Sequence, residues 1–167
     1  GVKDSKALTP SARERLYDLI LRVAKLVVVE EVKPDEIDRV NINELLYDRF
    51  ARIIRRALES AKGTPLIVKV DSIGKPPKLV SELRRRTGFE GIIVAEYDAD
   101  AKHVEVAAAS IVAKVLRDRH IRSLYRDYGY FGSGYPSDPR TRSWLKEYYM
   151  RHGKMPPIVR RSWKTVK

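Results

Sequence analysis

Short β-branched runs alternate with segments of helical period along this chain, and that alternation constrains the fold more than any other feature. Residues 66–70 and 92–97 are apolar runs of strand length, rich in Val and Ile, too short for buried helices and suited to a pleated surface. A third run at 25–32 holds Leu26, Val27, Val28 and Val29 and is expected to be a strand closed by Pro34. Between and around them the apolar positions recur every three or four residues. Leu16, Leu19, Ile20 and Val23 follow Thr9-Pro10, a hydroxyl cap and a first-turn proline. Leu45, Leu46, Ile53, Ile54, Ala57 and Leu58 predict a second amphipathic helix over about 41–60. A short helix is expected over 79–86, ended by Gly88, and a long one over roughly 103–128. Strands separated by helices predict a layered α/β domain rather than a helical bundle. At 167 residues, with no repeat and no linker, the expectation is one domain over 1–167.

The chain has no cysteine, which removes disulfides, thiolate metal sites and thiol nucleophiles together and suits a reducing interior. Any metal must sit on oxygen or imidazole. No run is long and apolar enough to cross a bilayer, and the first residues lack the apolar centre and cleavage site of a signal peptide, so a cytoplasmic protein without a membrane partner is expected. The formal charge of +12, from 34 Lys and Arg against 22 Asp and Glu, favours a polyanionic partner. A heat-adapted surface is the blander account of the same charge density. Residues 151–167 carry Arg151, Lys154, Arg160, Arg161, Lys164 and Lys167 without a single acid, which weights the reading toward nucleic acid.

Asp71 stands directly after the run 66–70, and Asp100 follows the run 92–97 by a few residues. In open α/β sheets, functional groups gather at the carboxyl ends of strands. Two carboxylates arriving there can share hard divalent cations, which prefer oxygen ligands and suit phosphate chemistry. An aspartate after a strand is, taken alone, more often a turn or helix cap, and Asp98 and Asp100 divide those roles between them. Ala107, Ala108, Ala109, Ser110 and Ala113 form a small-residue patch expected to pack closely onto the sheet or another helix. The loop 131–139 has two glycines that permit close backbone approach, Tyr135 held extended before Pro136, and Asp138-Pro139 as the start of another helix. An aromatic presented in this way stacks on a sugar or base; a buried tyrosine in an ordinary turn is the alternative. His103, His120 and His152 have no partner at zinc-site spacing, although His103 lies close to Asp100 in sequence. No Gly-x-Ser-x-Gly nucleophile turn and no Gly-x-x-x-x-Gly-Lys phosphate loop occurs.

Asp4-Ser5-Lys6, Val70-Asp71, Ala99-Asp100-Ala101-Lys102, the stretch 107–115 with Arg117-Asp118, the loop 132–139 and the stretch 157–163 follow one another in an order that resembles type 2 ribonuclease H (ribonuclease HII), the archaeal form in particular. The resemblance spans the chain from end to end. It implies a ribonuclease H-like fold, a mixed central sheet flanked by helices. It also implies a metal-dependent endonuclease that hydrolyses the RNA strand of RNA/DNA hybrids and cuts at single ribonucleotides embedded in duplex DNA, leaving 3'-hydroxyl and 5'-phosphate ends. The family's reaction uses Mg2+ or Mn2+ held by four acids, of which Asp71 and Asp100 match two. Tyr135 matches the tyrosine that stacks on the sugar at the RNA-to-DNA junction. Ser5, Lys6, Ser110 and Lys114 match residues near the nucleic-acid backbone, and the family suggests a monomer.

The chain departs from the family at its start. The strand ending in Asp-Glu-Ala-Gly-Arg-Gly has no counterpart, so two of the metal-binding acids, the junction-reading segment and the first strand are missing. Asp35-Glu36, in a polar stretch after Pro34, is a poor substitute. No terminal aromatic pair of the sliding-clamp type follows Trp163. A fragment of a complete enzyme is therefore expected, because the sheet edge left by a lost strand would be exposed and prone to aggregate. The alternative is a non-catalytic nucleic-acid-binding chain with an incomplete metal site.

Overall fold

A computed structural model describes residues 8–161. Ser5 and Lys6, like Ser162 and Trp163, lie outside the described residues. The described residues divide into two compact units, 8–31 with 43–115, and 32–42 with 116–161.

In the first unit, α1 (Pro10–Val23) begins where the sequence predicts. Thr9 Oγ1 accepts the Ala12 amide at 3.2 Å and Pro10 occupies the first turn, so one orphan amide is satisfied and another never existed. After α3 (Ile42–Ala61), β1 (Ile67–Asp71) leads through α4 (Pro76–Thr87) to β2 (Ile92–Glu96). Gly88 ends α4 in the left-handed conformation at φ 68°, a position that favours glycine. β1 and β2 pair in parallel, Ile67 with Ile92 through Asp71 with Glu96. A parallel pair needs a crossover connection, and α4 supplies it. Val68, Val70, Ile93 and Ala95 share one face of this pair and pack against Tyr47 and Ile54 of α3 and Leu79 and Leu83 of α4. Layering of helices on a sheet is thus the observed architecture, and among the described residues the sheet is this parallel pair.

Three expectations are corrected. The run at 25–32 is not a strand: a β-branched run favours extended backbone, but a strand also requires a ladder partner, and none is present among the described residues. Leu26 and Val29 are accordingly exposed. Pro34 does not close an element; it opens a short helix, α2 (Pro34–Arg39). The Lys33 amide donates to Glu36 Oε2 at 2.9 Å there, a capping contact that a polar stretch conceals. The third correction concerns the small-residue patch on α6 (Val104–Tyr128), which follows a single-turn helix, α5 (Ala99–Lys102). Ala107, Ile111 and Val115 form the buried line, one helical turn apart, whereas Ala109 and Ala113 are exposed. Only part of the patch packs.

The second unit takes α6 from Leu116 onward and adds α7 (Pro139–His152). Asp138 Oδ1 accepts the Arg140 amide at 2.9 Å, the cap the sequence predicts. Phe131 and Leu145 are buried, and Phe131 meets Tyr125 and Trp144 with ring centroids 5.0 Å apart in each case. Edge and tilted ring contacts of this kind add to simple burial. The basic C-terminal segment is in part structural: Pro156 and Val159 are buried, and the Arg161 amide donates to Asp38 Oδ2 at 2.8 Å.

Candidate active site

Because β1 and β2 run in parallel with Asp71 opposite Glu96, both strands deliver acids to the same end of the sheet. The Ser72 amide donates to the Glu96 carbonyl at 2.8 Å and extends the pairing past the strand ends. Beyond Glu96 the chain turns through Asp98, a non-glycine residue at φ 52° and ψ 39°. Aspartate tolerates that region better than most side chains. Asp98 holds the N-cap position of α5 without a side-chain cap hydrogen bond. The turn brings Ala99 and Asp100 back over the end of β1, where the Ala99 amide donates to Asp71 Oδ1 at 3.0 Å. Asp71 itself is exposed, and Asp100 is buried to 5 % exposure. Asp71 is therefore hydrogen-bonded to the residue that directly precedes Asp100, although the two acids are 29 positions apart in sequence.

The other acids nearby are held by lysines. Glu96 accepts from Lys102 Nζ at 2.8 Å, and this bond holds its carboxyl below the usual range. Glu105 is lowered first by its own backbone amide and then by Lys69, whose Nζ lies 3.0 Å away. His103, whose sequence position suggested Asp100, instead sets Nε2 3.6 Å from Glu96 Oε1. Its amide closes α5 onto the Ala99 carbonyl at 2.8 Å. Among the described residues no group of three or more His, Asp or Glu is arranged to hold a metal ion. The donors at the corner are nevertheless all oxygen. One or two carboxylates completed by waters and substrate phosphates is the ordinary protein share of a Mg2+ site, and Asp100 brings such an oxygen donor set to the buried side of the corner. The corner fits a hard divalent ion in kind. Ser110 and Lys114 are half-buried on α6.

In the second unit the loop ahead of α7 is braced from within. Asp138 Oδ2 accepts the Ser133 amide at 2.7 Å and the Ser133 hydroxyl at 2.8 Å. The Ser133 amide, the Ser133 hydroxyl and the Arg140 amide pull the Asp138 pKa down to about 2. Thr141, 3 % exposed, accepts the Gly134 amide at 3.0 Å and donates to the Phe131 carbonyl at 2.9 Å. Tyr125 donates its hydroxyl to the Gly132 carbonyl at 2.6 Å. Tyr135 projects from this loop 47 % exposed, so it is not the buried tyrosine of an ordinary turn. Arg117 lies over its ring, guanidinium carbon to centroid 3.7 Å. Neither Arg117 nor Thr141 stands out in the sequence as part of this loop.

The sequence model of the family "Ribonuclease HII" matches residues 1–166. Ribonuclease HII of Pyrococcus abyssi is 49 % identical over 170 aligned residues, covering 100 % of this chain and 74 % of its own length. Ribonuclease HII of Saccharolobus solfataricus is 46 % identical over 167, covering 100 % and 76 %. Among solved structures, ribonuclease H2 from Pyrococcus horikoshii superposes with a TM-score of 0.86 at 44 % identity, over 99 % of this chain and 78 % of that one. The enzyme in a PCNA:RNase HII complex from Archaeoglobus fulgidus gives 0.84 at 44 %, over 98 % and 79 %. With a family match along nearly the whole sequence and relatives this similar, the chain belongs to the ribonuclease HII family, the type 2 ribonuclease H endoribonucleases.

Proposed function

We propose that Asp71 and Asp100 supply part of a divalent-metal site for hydrolysis of the RNA strand in RNA/DNA hybrids and of single ribonucleotides in duplex DNA, leaving 3'-hydroxyl and 5'-phosphate ends. The hydrogen bond from the Ala99 amide to Asp71 Oδ1 carries this reading, because it ties the exposed acid to the residue beside the buried one. The two carboxylates would hold Mg2+ or Mn2+, which when bound supplies Lewis-acid activation of water and charge stabilisation at the scissile phosphate. Asp100 is buried on α5. Asp71 stays open to solvent and to substrate. Lys69 and Lys102 neutralise Glu105 and Glu96, so a phosphate approaching the corner meets fewer uncompensated negative charges. Tyr135 stacks on the sugar at the RNA-to-DNA junction, and Ser110 and Lys114, with Ser5 and Lys6, contact the nucleic-acid backbone.

The test is a pair of single variants, Asp71→Asn and Asp100→Asn, assayed for cutting and for binding of a DNA duplex with one ribonucleotide. Cutting should fall by at least about a hundredfold in each, on the scale of lost electrostatic stabilisation, while binding is kept. Unchanged cutting by both variants would remove the metal-site assignment. Binding without cutting by the unsubstituted protein in the presence of either metal would favour the non-catalytic reading, which the lack of a group of three or more metal-ligating side chains among the described residues supports.

A further inference from the structure

The Arg117 guanidinium sits 3.7 Å from the centroid of the Tyr135 ring, well inside the range at which a cation is attracted to an aromatic face. Both residues belong to the second unit. The guanidinium is held sideways as well, Nη1 donating to Asp118 Oδ1 at 3.2 Å. Arg117 and Ile121 are one turn apart on α6, and the loop backbone lies directly against them. A Cβ built on Gly134, at φ 70°, would fall 2.8 Å from Ile121 Cδ1 and 3.3 Å from Arg117 Nη2. Glycine suits the position, because a side chain at this φ is strained and its Cβ would press on both neighbours. The loop is locked further by Asp138 and Thr141, so the Tyr135 backbone is fixed and its side chain is the remaining degree of freedom.

We propose that Arg117 is a positioning residue that sets the substrate preference: its planar cation covers one face of the Tyr135 ring, fixes the ring's orientation, and leaves the opposite face to stack on the junction sugar. The inference rests on the reading of Tyr135 as the junction-stacking residue. Fixing a ring before binding removes ordering cost from the step that uses it. A substrate with one ribonucleotide depends on that step more than a uniform hybrid, which offers many registers for cutting. Arg117 thus acts through Tyr135 and touches no reacting atom.

The experiment compares kcat/KM on a duplex with one ribonucleotide against a uniform hybrid, in the full-length enzyme and in Arg117→Met, Arg117→Lys, Tyr135→Ala and the Arg117→Met/Tyr135→Ala double variant. The ratio of the two values does not depend on the folded fraction. Arg117→Met should lower that ratio about five- to tenfold, on the scale of a partly desolvated cation–π contact. Arg117→Lys should recover part of it, since a point charge replaces the planar stack, and the double variant should match Tyr135→Ala alone. If Tyr135→Ala lowers the ratio and Arg117→Met leaves it unchanged, the positioning role is wrong and the stacking role stands. If Tyr135→Ala also leaves it unchanged, the stacking role fails and the inference falls with it.

Discussion

The Asp71 carboxylate accepts the Ala99 amide at 3.0 Å, so one oxygen of a proposed metal-site acid also closes the turn that presents Asp100. Structure and chemistry are separable here by substitution. Asp71→Asn keeps a side-chain oxygen that can accept, whereas Asp71→Ala leaves the Ala99 amide unmet. Asp71→Ala should lose about 0.5–1.5 kcal/mol of stability and Asp71→Asn clearly less, measured by urea unfolding. Equal losses would mean that the amide bond contributes nothing to the corner.

Gly132 offers a second separation. Its φ is 82° and a Cβ there would stand 2.5 Å from Asp138 Oδ2, while Gly129, at φ 70°, has nothing within 4 Å. Gly129→Ala meets backbone strain alone, and Gly132→Ala meets strain plus collision with the carboxylate that braces the loop. The expected losses are about 1 kcal/mol for Gly129→Ala and about 2–3 kcal/mol for Gly132→Ala. Similar melting temperatures for the two variants would contradict the close approach.

Asp138 gives the loop a pH dependence of definite sign. Its folded pKa, about 2, lies below the ordinary 3.8, so between those values the unfolded chain binds more protons than the folded one. Stability contributed by this group is complete above about pH 4 and is lost as pH falls toward 2. The stability advantage of the native protein over Asp138→Asn should shrink across that window in acid titrations followed by thermal melting. An advantage that is constant from pH 5 to pH 2 would show that the carboxylate charge plays no part.

Thr141 is the buried hinge of the same loop, joining the Gly134 amide to the Phe131 carbonyl. Thr141→Val keeps the volume and deletes both bonds, together with the longer one to Asp138 Oδ2 at 3.3 Å. The cost should be about 1–3 kcal/mol because two polar groups lose their partner. Hydrogen exchange at the Gly134 amide should quicken; unchanged protection there would contradict the brace.

Local pattern made much of the fold legible. Thr9-Pro10, Gly88 and Asp138-Pro139 mark element ends by capping chemistry that acts within a few residues, and β1 and β2 lie within a residue of the expected runs. The run at 25–32 was not legible in the same way, because extended preference is local and ladder pairing is not. The patch on α6 misleads for a geometric reason: Ala109 and Ala113 lie around the cylinder from the Ala107, Ile111 and Val115 line, and small size says nothing about which side faces inward. Asp71 and Asp100 were visible as strand-end acids. What tied them together, a backbone amide at Ala99, carries no side-chain signature. Arg117 and Tyr135 are 18 positions apart, and their stacking depends on left-handed glycines and the buried Thr141 folding the loop back on the helix.

The proposed metal role of Asp71 and Asp100 is tested most directly by binding of Mn2+ itself, followed by electron paramagnetic resonance in the full-length enzyme and in Asp100→Asn. The native protein should take up Mn2+, and Asp100→Asn, folded by its far-ultraviolet circular dichroism, should weaken that uptake at least about tenfold, since a buried carboxylate ligand is lost. Equal Mn2+ affinity in the native protein and the folded variant would contradict the metal role.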